Sequence, residues 1–307
     1  MSRYLGAFCI IIAGVLWGID PILLRPHLSH LIGFVPLVVL LEHAVAFAFM
    51  LPFMFVQRKL IIKEIRSLGA KELGSFLWIA AFGGVIGTVA IVKALFLVQF
   101  NHLSVIVILQ KLQPLFAILL AIIVLKEKPA KGFYIWALLG LLGSYLLTFG
   151  LHKPVFEGNV LLKAAAYSLL AAFAFGSATV FGKSALKKTS FSVATYIRFG
   201  LTSLLLLSVV GAQGFAGMTQ VSSADLATII VIAFSSGGLA IFIYYFGLKQ
   251  VPASKSTIYE LSLPITAVCL DMLINRSFLS LPQYLGASLV LLSMLMVTWT
   301  RVAEKSQ

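Results

Sequence analysis

Ten long apolar stretches, separated mostly by short polar connections, run along the 307-residue chain. Each is about as long as an α-helix needs to be to cross a bilayer, roughly 20 residues. The strict apolar–polar alternation of a membrane β-barrel is absent. The pattern therefore predicts an all-α polytopic membrane protein with ten transmembrane helices. The predicted spans are 4–24, 34–56, 74–98, 103–125, 131–150, 159–182, 191–212, 226–248, 252–274 and 280–300.

One connection is long and has a pattern of its own. Residues 57–73 mix Leu and Ile with Lys and Arg at helical spacing. Such a segment buries its apolar side among lipids and keeps its basic side near the headgroups. We therefore expect a short amphipathic helix lying on the membrane surface.

The composition agrees with a membrane protein. Hydrophobic residues make up 61% of the chain, charged residues 11%, and the mean hydropathy is +1.06. One globular core cannot hide this much apolar surface, which excludes a soluble or a disordered protein. The two cysteines, Cys9 and Cys269, lie in apolar stretches, and the absence of CxxC or Cys/His clusters indicates neither a metal site nor a disulfide framework.

The positive charge predicts an orientation. A net charge of +13 would suggest nucleic-acid binding in a soluble chain, but Lys and Arg also accumulate in the cytoplasmic loops of membrane proteins. With the N-terminus inside, the outer connections hold three basic residues, Arg25, Lys153 and Arg276. The inner connections hold fifteen: Arg3, Arg58, Lys59, Lys63, Arg66, Lys71, Lys126, Lys128, Lys131, Lys183, Lys187, Lys188, Lys249, Arg301 and Lys305. Both termini are therefore expected in the cytoplasm, with the chain in a bacterial inner membrane.

The two halves of the chain resemble each other. SVIVILQKLQP (104–114) aligns with SKSTIYELSLP (254–264), which places Gln110 on Glu260 and Pro114 on Pro264. Five spans per half make the halves opposite in orientation, and equivalent loops carry opposite charge bias. We predict two inverted five-helix repeats, residues 1–152 (including the 57–73 connection) and 153–307, forming one membrane domain. Inverted repeats are typical of secondary transporters.

Several motifs resemble a known family. The chain has Trp17-Gly18 in the first span, Pro114 followed by Glu127, Arg198 in the second span of the second half, and GLKQVPAS at 247–254. In order and spacing they are similar to the EamA-type branch of the drug/metabolite transporter superfamily. The resemblance covers nearly the whole chain. It implies ten helices, cytoplasmic termini, a central cavity, and export or uptake of small metabolites.

Charged residues inside the spans are the candidates for coupling or ion pairing. A charge near the bilayer centre costs at least about 2.5 kcal/mol, so it needs a partner, water or a charged ligand. Glu42 and Arg198 fall at equivalent positions of the two halves, and we expect them to pair, either as a structural lock or as part of the mechanism. His43 lies beside Glu42 and titrates near neutral pH, which suggests proton coupling or a structural role. Asp20 completes this set.

The substrate-binding candidates centre on the ninth span. Ser256 and Glu260 share one helical face next to Pro264, which frees a backbone carbonyl near the midplane. Lys93, deep in the third span, has no carboxylate one turn away, so it needs a remote partner or the substrate. The alternative is that the prolines are packing kinks, and the two roles are compatible. The full set is Trp17, Lys93, Gln110, Lys111, Tyr245, Ser256, Tyr259 and Glu260.

These features predict a secondary active transporter that works by alternating access. Anionic and cationic side chains in one cavity suit an amino acid or a related zwitterion or amine. The alternative is a membrane-embedded lipid-modifying transferase; a channel lacks an obvious pore-lining ring. No GxxxxGK[ST] motif occurs, which excludes ATP-driven transport within this chain. We expect a small-molecule substrate with possible proton coupling, no cofactor, no catalytic or metal residues, no nucleic acid, and a monomer or homodimer in the bilayer.

Overall fold

The structure is a computed structural model, and it describes residues 2–99, 106, 109–152, 159–275 and 279–303. Nearly all of the described chain is helical. The described residues of the first half form seven α-helices: α1 (Ser2–Ile19), α2 (Val35–Val56), α3 (Arg58–Arg66), α4 (Ala70–Trp78), α5 (Gly87–Leu97), α6 (Gln113–Val124) and α7 (Lys131–Phe149).

The second half contains another seven described α-helices. They are α8 (Asn159–Ala185), α9 (Phe191–Ala212), α10 (Ser223–Ile232), α11 (Gly238–Gln250), α12 (Ala253–Tyr259), α13 (Ser262–Asn275) and α14 (Leu281–Trp299). Two short strands, β1 (Lys128–Pro129) and β2 (Val302–Ala303), pair antiparallel. This pairing joins the start of α7 to the C-terminal segment.

Eight helical segments of the described chain are long and apolar enough to cross a membrane. The prediction of an all-α polytopic membrane protein is therefore confirmed. The count of ten stays a prediction: one segment, Tyr4–Val56, contains both the first and the second predicted span, and the fourth is described mainly by α6, a shorter apolar helix. The other seven are Ala70–Leu97, Lys131–Phe149, Asn159–Ala185, Phe191–Ala212, Ser223–Gln250, Ala253–Ile274 and Leu281–Trp299.

The connection between α1 and α2 is helical rather than an open loop. A π-helical turn (Asp20–Leu24) is followed by a 3₁₀ helix (Arg25–Phe34), which bends at Leu31. Pro21 stands where α1 continues into the π-helical segment. A proline inside a helix removes an i→i−4 hydrogen bond, which is consistent with the wider turn at this point. This continuation corrects the assignment of Arg25 to an outer loop, because Arg25 is buried within the bundle. The other two predicted outer charges, Lys153 and Arg276, lie outside the described residues, as do Ser104 and Lys305.

Wide π-helical turns interrupt two further spans. Residues Ile79–Ile86 separate α4 from α5, and Ala233–Gly237 separate α10 from α11. They fall in the third span of the first half and the third span of the second. Single π turns inside helices are frequent at functional sites. Ser236 and Gly237 of the second turn line the cavity described below, and Gly83 of the first contacts its lining residue Arg198.

The 57–73 connection contains the predicted helix. Residues Arg58–Arg66 form α3, with its Leu60, Ile62 and Ile65 side chains exposed. Exposed apolar and basic residues on one short helix are what a membrane surface accepts. Its placement on that surface stays a prediction.

Helices α7 and α14 pack closely through small residues. A side-chain carbon added at Gly286 would meet the carbonyl oxygen of Gly143 at 2.6 Å, and the Ser293 hydroxyl donates to the Trp136 carbonyl at 2.5 Å. Small residues let membrane helices approach until their backbones touch. Among the described residues, this pair contributes nothing to the lining of the central cavity, so it supports the bundle from the side.

A buried carboxylate, Glu127, connects the segment after α6 in the first half to the start of α12 in the second. Glu127 accepts hydrogen bonds from the backbone N–H of Ala253 (2.8 Å) and Ser254 (3.1 Å), and from the Ser254 hydroxyl (2.5 Å). A carboxylate at a helix N-terminus satisfies free N–H groups and the helix dipole. Glu127 therefore determines where α12 begins, seven residues before Glu260.

Candidate functional site

A cavity of about 190 Å³ lies in the centre of the bundle. Its described walls come from α1, α2, α5, α6 and α8 to α13, together with the segments between them. Six formally charged residues line it, three acidic and three basic: Asp20, Glu42, Glu260, Arg25, Lys111 and Arg198. Aromatic residues of the lining are Trp17, His43, Phe175, Phe199 and Tyr244. The described lining is therefore polar, aromatic and balanced in formal charge.

Arg25 binds two carboxylates at once. Its guanidinium lies 2.6 Å from Asp20 Oδ2 and 2.9 Å from Glu42 Oε1, and all three side chains are largely buried. Charged hydrogen bonds of this geometry are the strong ones, and the guanidinium fork suits two carboxylates. The predicted pairing of Glu42 with Arg198 is wrong, because Glu42 pairs with Arg25.

The sequence analysis missed Arg25 as a cavity residue. The apolar pattern ended the first span at residue 24, which placed Arg25 in a loop. The helical connection instead keeps Arg25 five residues from Asp20, and its Nε and Nη2 both reach the same carboxylate oxygen, at 2.8 and 2.6 Å. An acid and a base five residues apart at the end of an apolar run were the available signal.

Arg198 has a very different environment. Its Nη1 donates to the Tyr245 hydroxyl at 3.2 Å, its Nη2 reaches the Gly83 carbonyl at 3.5 Å, and its guanidinium lies 5.6 Å from the centre of the Tyr245 ring. In the described part of the chain, the buried Nε has no acceptor. Tyr245 itself is not among the described lining residues, so this binding candidate holds Arg198 rather than the cavity wall.

His43 lines the cavity next to these arginines. Its Nδ1 lies 2.9 Å from the Val39 carbonyl oxygen, one turn earlier on α2. Because a carbonyl can only accept, Nδ1 carries the hydrogen and Nε2 is left as an acceptor. The ring packs against Phe199, with 5.2 Å between centroids. His43 therefore offers an acceptor to the cavity where Arg198 offers donors.

Glu260 is the centre of a second polar cluster. Its Oε2 accepts from the Gln113 amide at 2.7 Å, and its Oε1 accepts from the Tyr244 hydroxyl at 2.8 Å. Tyr244 also lies 2.8 Å from the Thr179 hydroxyl and packs against Trp17 at 5.2 Å. The structure thus places Glu260 and Trp17 at the cavity, as predicted, and adds Gln113 and Thr179, which the sequence analysis did not select.

Breaks in two helices create this cluster. The residues around 260 separate α12 from α13, and Lys111 and Leu112 form a turn before α6, which begins at Gln113. Pro114 and Pro264 stand just inside the helices that follow, where proline is tolerated. The predicted interruption of the ninth span is therefore present. At this interruption, the Glu260 side chain contacts Gln113 in the first half of the chain.

Gln110 and Lys111 also line the cavity, as predicted. Lys111 is buried, and it lines the same cavity as Glu260. Within the residues that the structure describes, its ammonium makes no hydrogen bond and no ion pair. Lys111 and Arg198 are thus two cations in one cavity that lack a carboxylate in direct contact.

Besides Tyr245, three predicted binding residues are not among the described lining residues. Lys93 faces the Tyr167 ring, with its Nζ 5.2 Å from the centroid, and Tyr259 donates to the Thr298 hydroxyl on α14 at 3.1 Å. Ser256 donates to the carbonyl of Ala253 in its own helix at 2.9 Å. None of the three is among the described lining residues. The placement of Lys93, Tyr259 and Ser256 in the cavity wall is corrected accordingly.

Comparisons with known proteins agree with this architecture. A model of the EamA-like transporter family matches residues 4–149 and 162–299. The riboflavin transporter ImpX of Fusobacterium nucleatum subsp. nucleatum is 43% identical over 295 residues, which cover 95% of this chain and 97% of that protein. The uncharacterized transporter YwfM of Bacillus subtilis is 25% identical over 177 residues, 57% of each chain. Solved structures share the fold; for example, a protein crystal structure matches with a TM-score of 0.64 at 15% identity, covering 96% of this chain and 95% of that chain.

Proposed function

The chain belongs to the EamA-like transporter family, and from this premise we propose that it carries riboflavin across the membrane. It is an integral membrane transporter of a small molecule, not an enzyme, since the family and the 43% identical relative are both transporters. The observation that carries the substrate proposal is that similarity, which extends over 95% of this chain and 97% of the Fusobacterium riboflavin transporter.

The cavity supports an uncharged, aromatic and polar substrate. Riboflavin has no net charge at neutral pH, a planar ring system and a polyhydroxylated chain. Asp20 is bound to Arg25 through Oδ2 and Glu42 through Oε1, and Glu260 accepts two hydrogen bonds. Among the described carboxylate oxygens of this group, Asp20 Oδ1 is buried without a partner. The argument from sequence for a zwitterion assumed free carboxylates, and the comparisons do not support an amino-acid substrate.

Two inverted repeats and alternating access belong to the same proposal. The family model matches the chain in two blocks, 4–149 and 162–299, close to the expected boundary at 152–153. The paired π turns, Ile79–Ile86 and Ala233–Gly237, are a second correspondence between the halves. We propose that the halves rock about the cavity. A bacterial inner membrane, cytoplasmic termini, proton coupling through His43, and a monomeric or homodimeric state stay predictions.

Uptake into proteoliposomes of the purified protein tests the substrate. We expect time-dependent accumulation of radiolabelled riboflavin that unlabelled riboflavin competes away, and no accumulation of labelled amino acids from a panel. Empty liposomes correct for the partitioning of riboflavin into lipid. Accumulation of an amino acid without riboflavin transport would overturn the proposal.

Two matched variants connect transport to the cavity. Glu260→Gln changes a lining carboxylate, whereas Lys93→Met changes a span charge that lies against Tyr167 and outside the described lining. We expect the first to lose riboflavin transport and the second to keep it. Equal loss in both variants, at equal folded yield, would contradict the placement of the substrate in this cavity.

A further inference from the structure

The arginines of the cavity differ in what they are free to bind. Arg25 and Arg198 are both buried, at 6% and 7% exposure. Arg25 is held by Asp20 and Glu42. Arg198 contacts a hydroxyl and a carbonyl, and among the described residues no carboxylate pairs with it. A charge buried in a membrane protein with so few partners is a mark of function.

The contacts of Arg198 position its guanidinium but leave most of its N–H donors without an acceptor. Tyr245 on α11 accepts at 3.2 Å and lies under the guanidinium, while Gly83 in the π turn reaches Nη2 at 3.5 Å. A guanidinium has five N–H donors, and these two acceptors satisfy at most two. Nε is buried with no acceptor among the described groups. Each Nη keeps a second N–H for which the described chain gives no acceptor, and Arg198 lines the cavity. Since buried donors of native proteins are normally satisfied, these Nη groups point to a ligand in the cavity.

A second orphaned group lies in the cavity wall. The Ser236 hydroxyl, in the π turn Ala233–Gly237, is also buried without a partner in the described chain. Two other buried hydroxyls lack partners, those of Ser144 and Ser203, but neither residue is among the described lining residues. Ser236 and Ser203 are therefore a matched pair, one at the cavity and one away from it.

We propose that Arg198 binds the carbonyl edge of the flavin ring, which makes it the residue that orients the substrate. This inference rests on the proposed function. The ring carbonyls are planar acceptors that cannot donate, and a guanidinium presents coplanar donors that cannot accept. The His43 ring packs against Phe199, the neighbour of Arg198 on α9, with 5.2 Å between centroids, and its acceptor nitrogen is suited to the imide N–H between those carbonyls.

The other polar cluster suits the polyhydroxylated chain. A hydroxyl both donates and accepts, so it is matched by groups that do the same. Around Glu260 the lining offers the Gln113 amide and the hydroxyls of Tyr244, Thr179 and Thr257. The two clusters thus bind different parts of the substrate: Arg198 the ring, and the Glu260 cluster the polyhydroxylated chain.

Binding measured with a truncated ligand tests this division. Lumiflavin has the same ring and carbonyl edge as riboflavin but a methyl group in place of the polyhydroxylated chain. The affinity of purified protein for each is measured by quenching of flavin fluorescence. We expect Arg198→Gln to weaken the binding of both ligands by the same factor, about 10- to 100-fold for a charged hydrogen bond. Glu260→Gln should weaken riboflavin binding and leave lumiflavin binding within about twofold, because lumiflavin lacks the group that Glu260 would contact.

Milder variants keep the test decisive if Arg198→Gln does not fold. Tyr245→Phe keeps the ring under the guanidinium and removes the hydroxyl at 3.2 Å. It should lower the affinity for both ligands by about threefold to tenfold. Arg198→Lys keeps the charge but loses the planar guanidinium, and its affinity for both ligands should lie between those of the wild type and Arg198→Gln. Ser203→Ala is the control and should change neither affinity, whereas Ser236→Ala should weaken at least one.

The possible results distinguish the role of Arg198 from the proposed transport of riboflavin. If Arg198→Gln or Tyr245→Phe weakens riboflavin but not lumiflavin, Arg198 contacts the chain and the inference is overturned. Unchanged affinity for both ligands in folded variants overturns it as well. If the wild-type protein binds neither ligand, the proposed function itself fails, and this outcome is distinct from the other two.

Discussion

Replacing Arg25 should be the most damaging single change in the cavity. Arg25→Gln leaves the Asp20 and Glu42 carboxylates buried, like-charged and without their shared cation. Their side chains are 13% and 5% exposed and accept from Arg25 at 2.6 and 2.9 Å. Removal of one partner from a buried ion pair costs about 3–5 kcal/mol. With both carboxylates stranded, we expect the upper end of that range.

Glu42→Gln should cost much less, because Arg25 keeps Asp20 and the glutamine oxygen can still accept. Loss of a charged hydrogen bond alone is about 1.5–3 kcal/mol. The double variant Arg25→Gln/Glu42→Gln removes one stranded charge. It should therefore be more stable than the sum of the single effects predicts, with a coupling energy of about 1–3 kcal/mol.

Thermal unfolding of purified protein in detergent, with folded yield as a second measure, gives the comparison. The control cycle combines Glu42→Gln with Arg198→Gln, a pair that shares no direct hydrogen bond in the described structure, and its coupling should be clearly smaller. Additive effects of Arg25→Gln and Glu42→Gln, together with strong coupling in the control cycle, would refute the structural reasoning and restore the pairing expected from sequence.

Three further outcomes follow from the contacts. Glu260→Gln should lower riboflavin transport about tenfold or more, the order of a lost charged hydrogen bond, with folded yield within twofold of wild type; normal transport by a folded variant would remove Glu260 from the site. Lys93→Met should keep transport within about twofold and lower stability by about 1 kcal/mol or less, the size of a cation–π contact; abolished transport at normal yield would place Lys93 at the substrate after all. Glu127→Gln should lower stability by about 1–2 kcal/mol, because the N–H groups of Ala253 and Ser254 lose their charged acceptor; an unchanged melting temperature would show that this cap is dispensable.

The membrane fold was readable from sequence because the bilayer imposes its requirement locally. A spanning segment must be helical and apolar over about 20 residues, and eight segments of the described chain meet that condition. The helix breaks were also readable from sequence, because a proline follows each of them: Pro114 in the first half and Pro264 in the second. The connection at 25–34 was not, because helical and open connections of that composition look alike in sequence.

The list of charged cavity candidates was largely readable for the same reason. A charge inside an apolar run is costly, so Asp20, Glu42, Glu260, Arg198 and Lys111 stand out in any inspection of the chain. All five line the cavity. The cost of a buried charge identifies these residues without naming their partners.

The partners were decided by tertiary structure alone. Arg25 contacts Glu42, 17 residues further along the chain, and Gln113 contacts Glu260, 147 residues further along. Neither pair has the spacing of three or four residues at which side chains of one helix meet. The rotation of each helix decides the rest: Lys93 faces Tyr167, and Tyr259 faces α14, although both lie one turn or less from lining residues. Apolar spans in lipid carry little pattern that distinguishes a lipid-facing side from a protein-facing side, because both are hydrophobic. The direction in which a side chain points is therefore determined only when the helices pack.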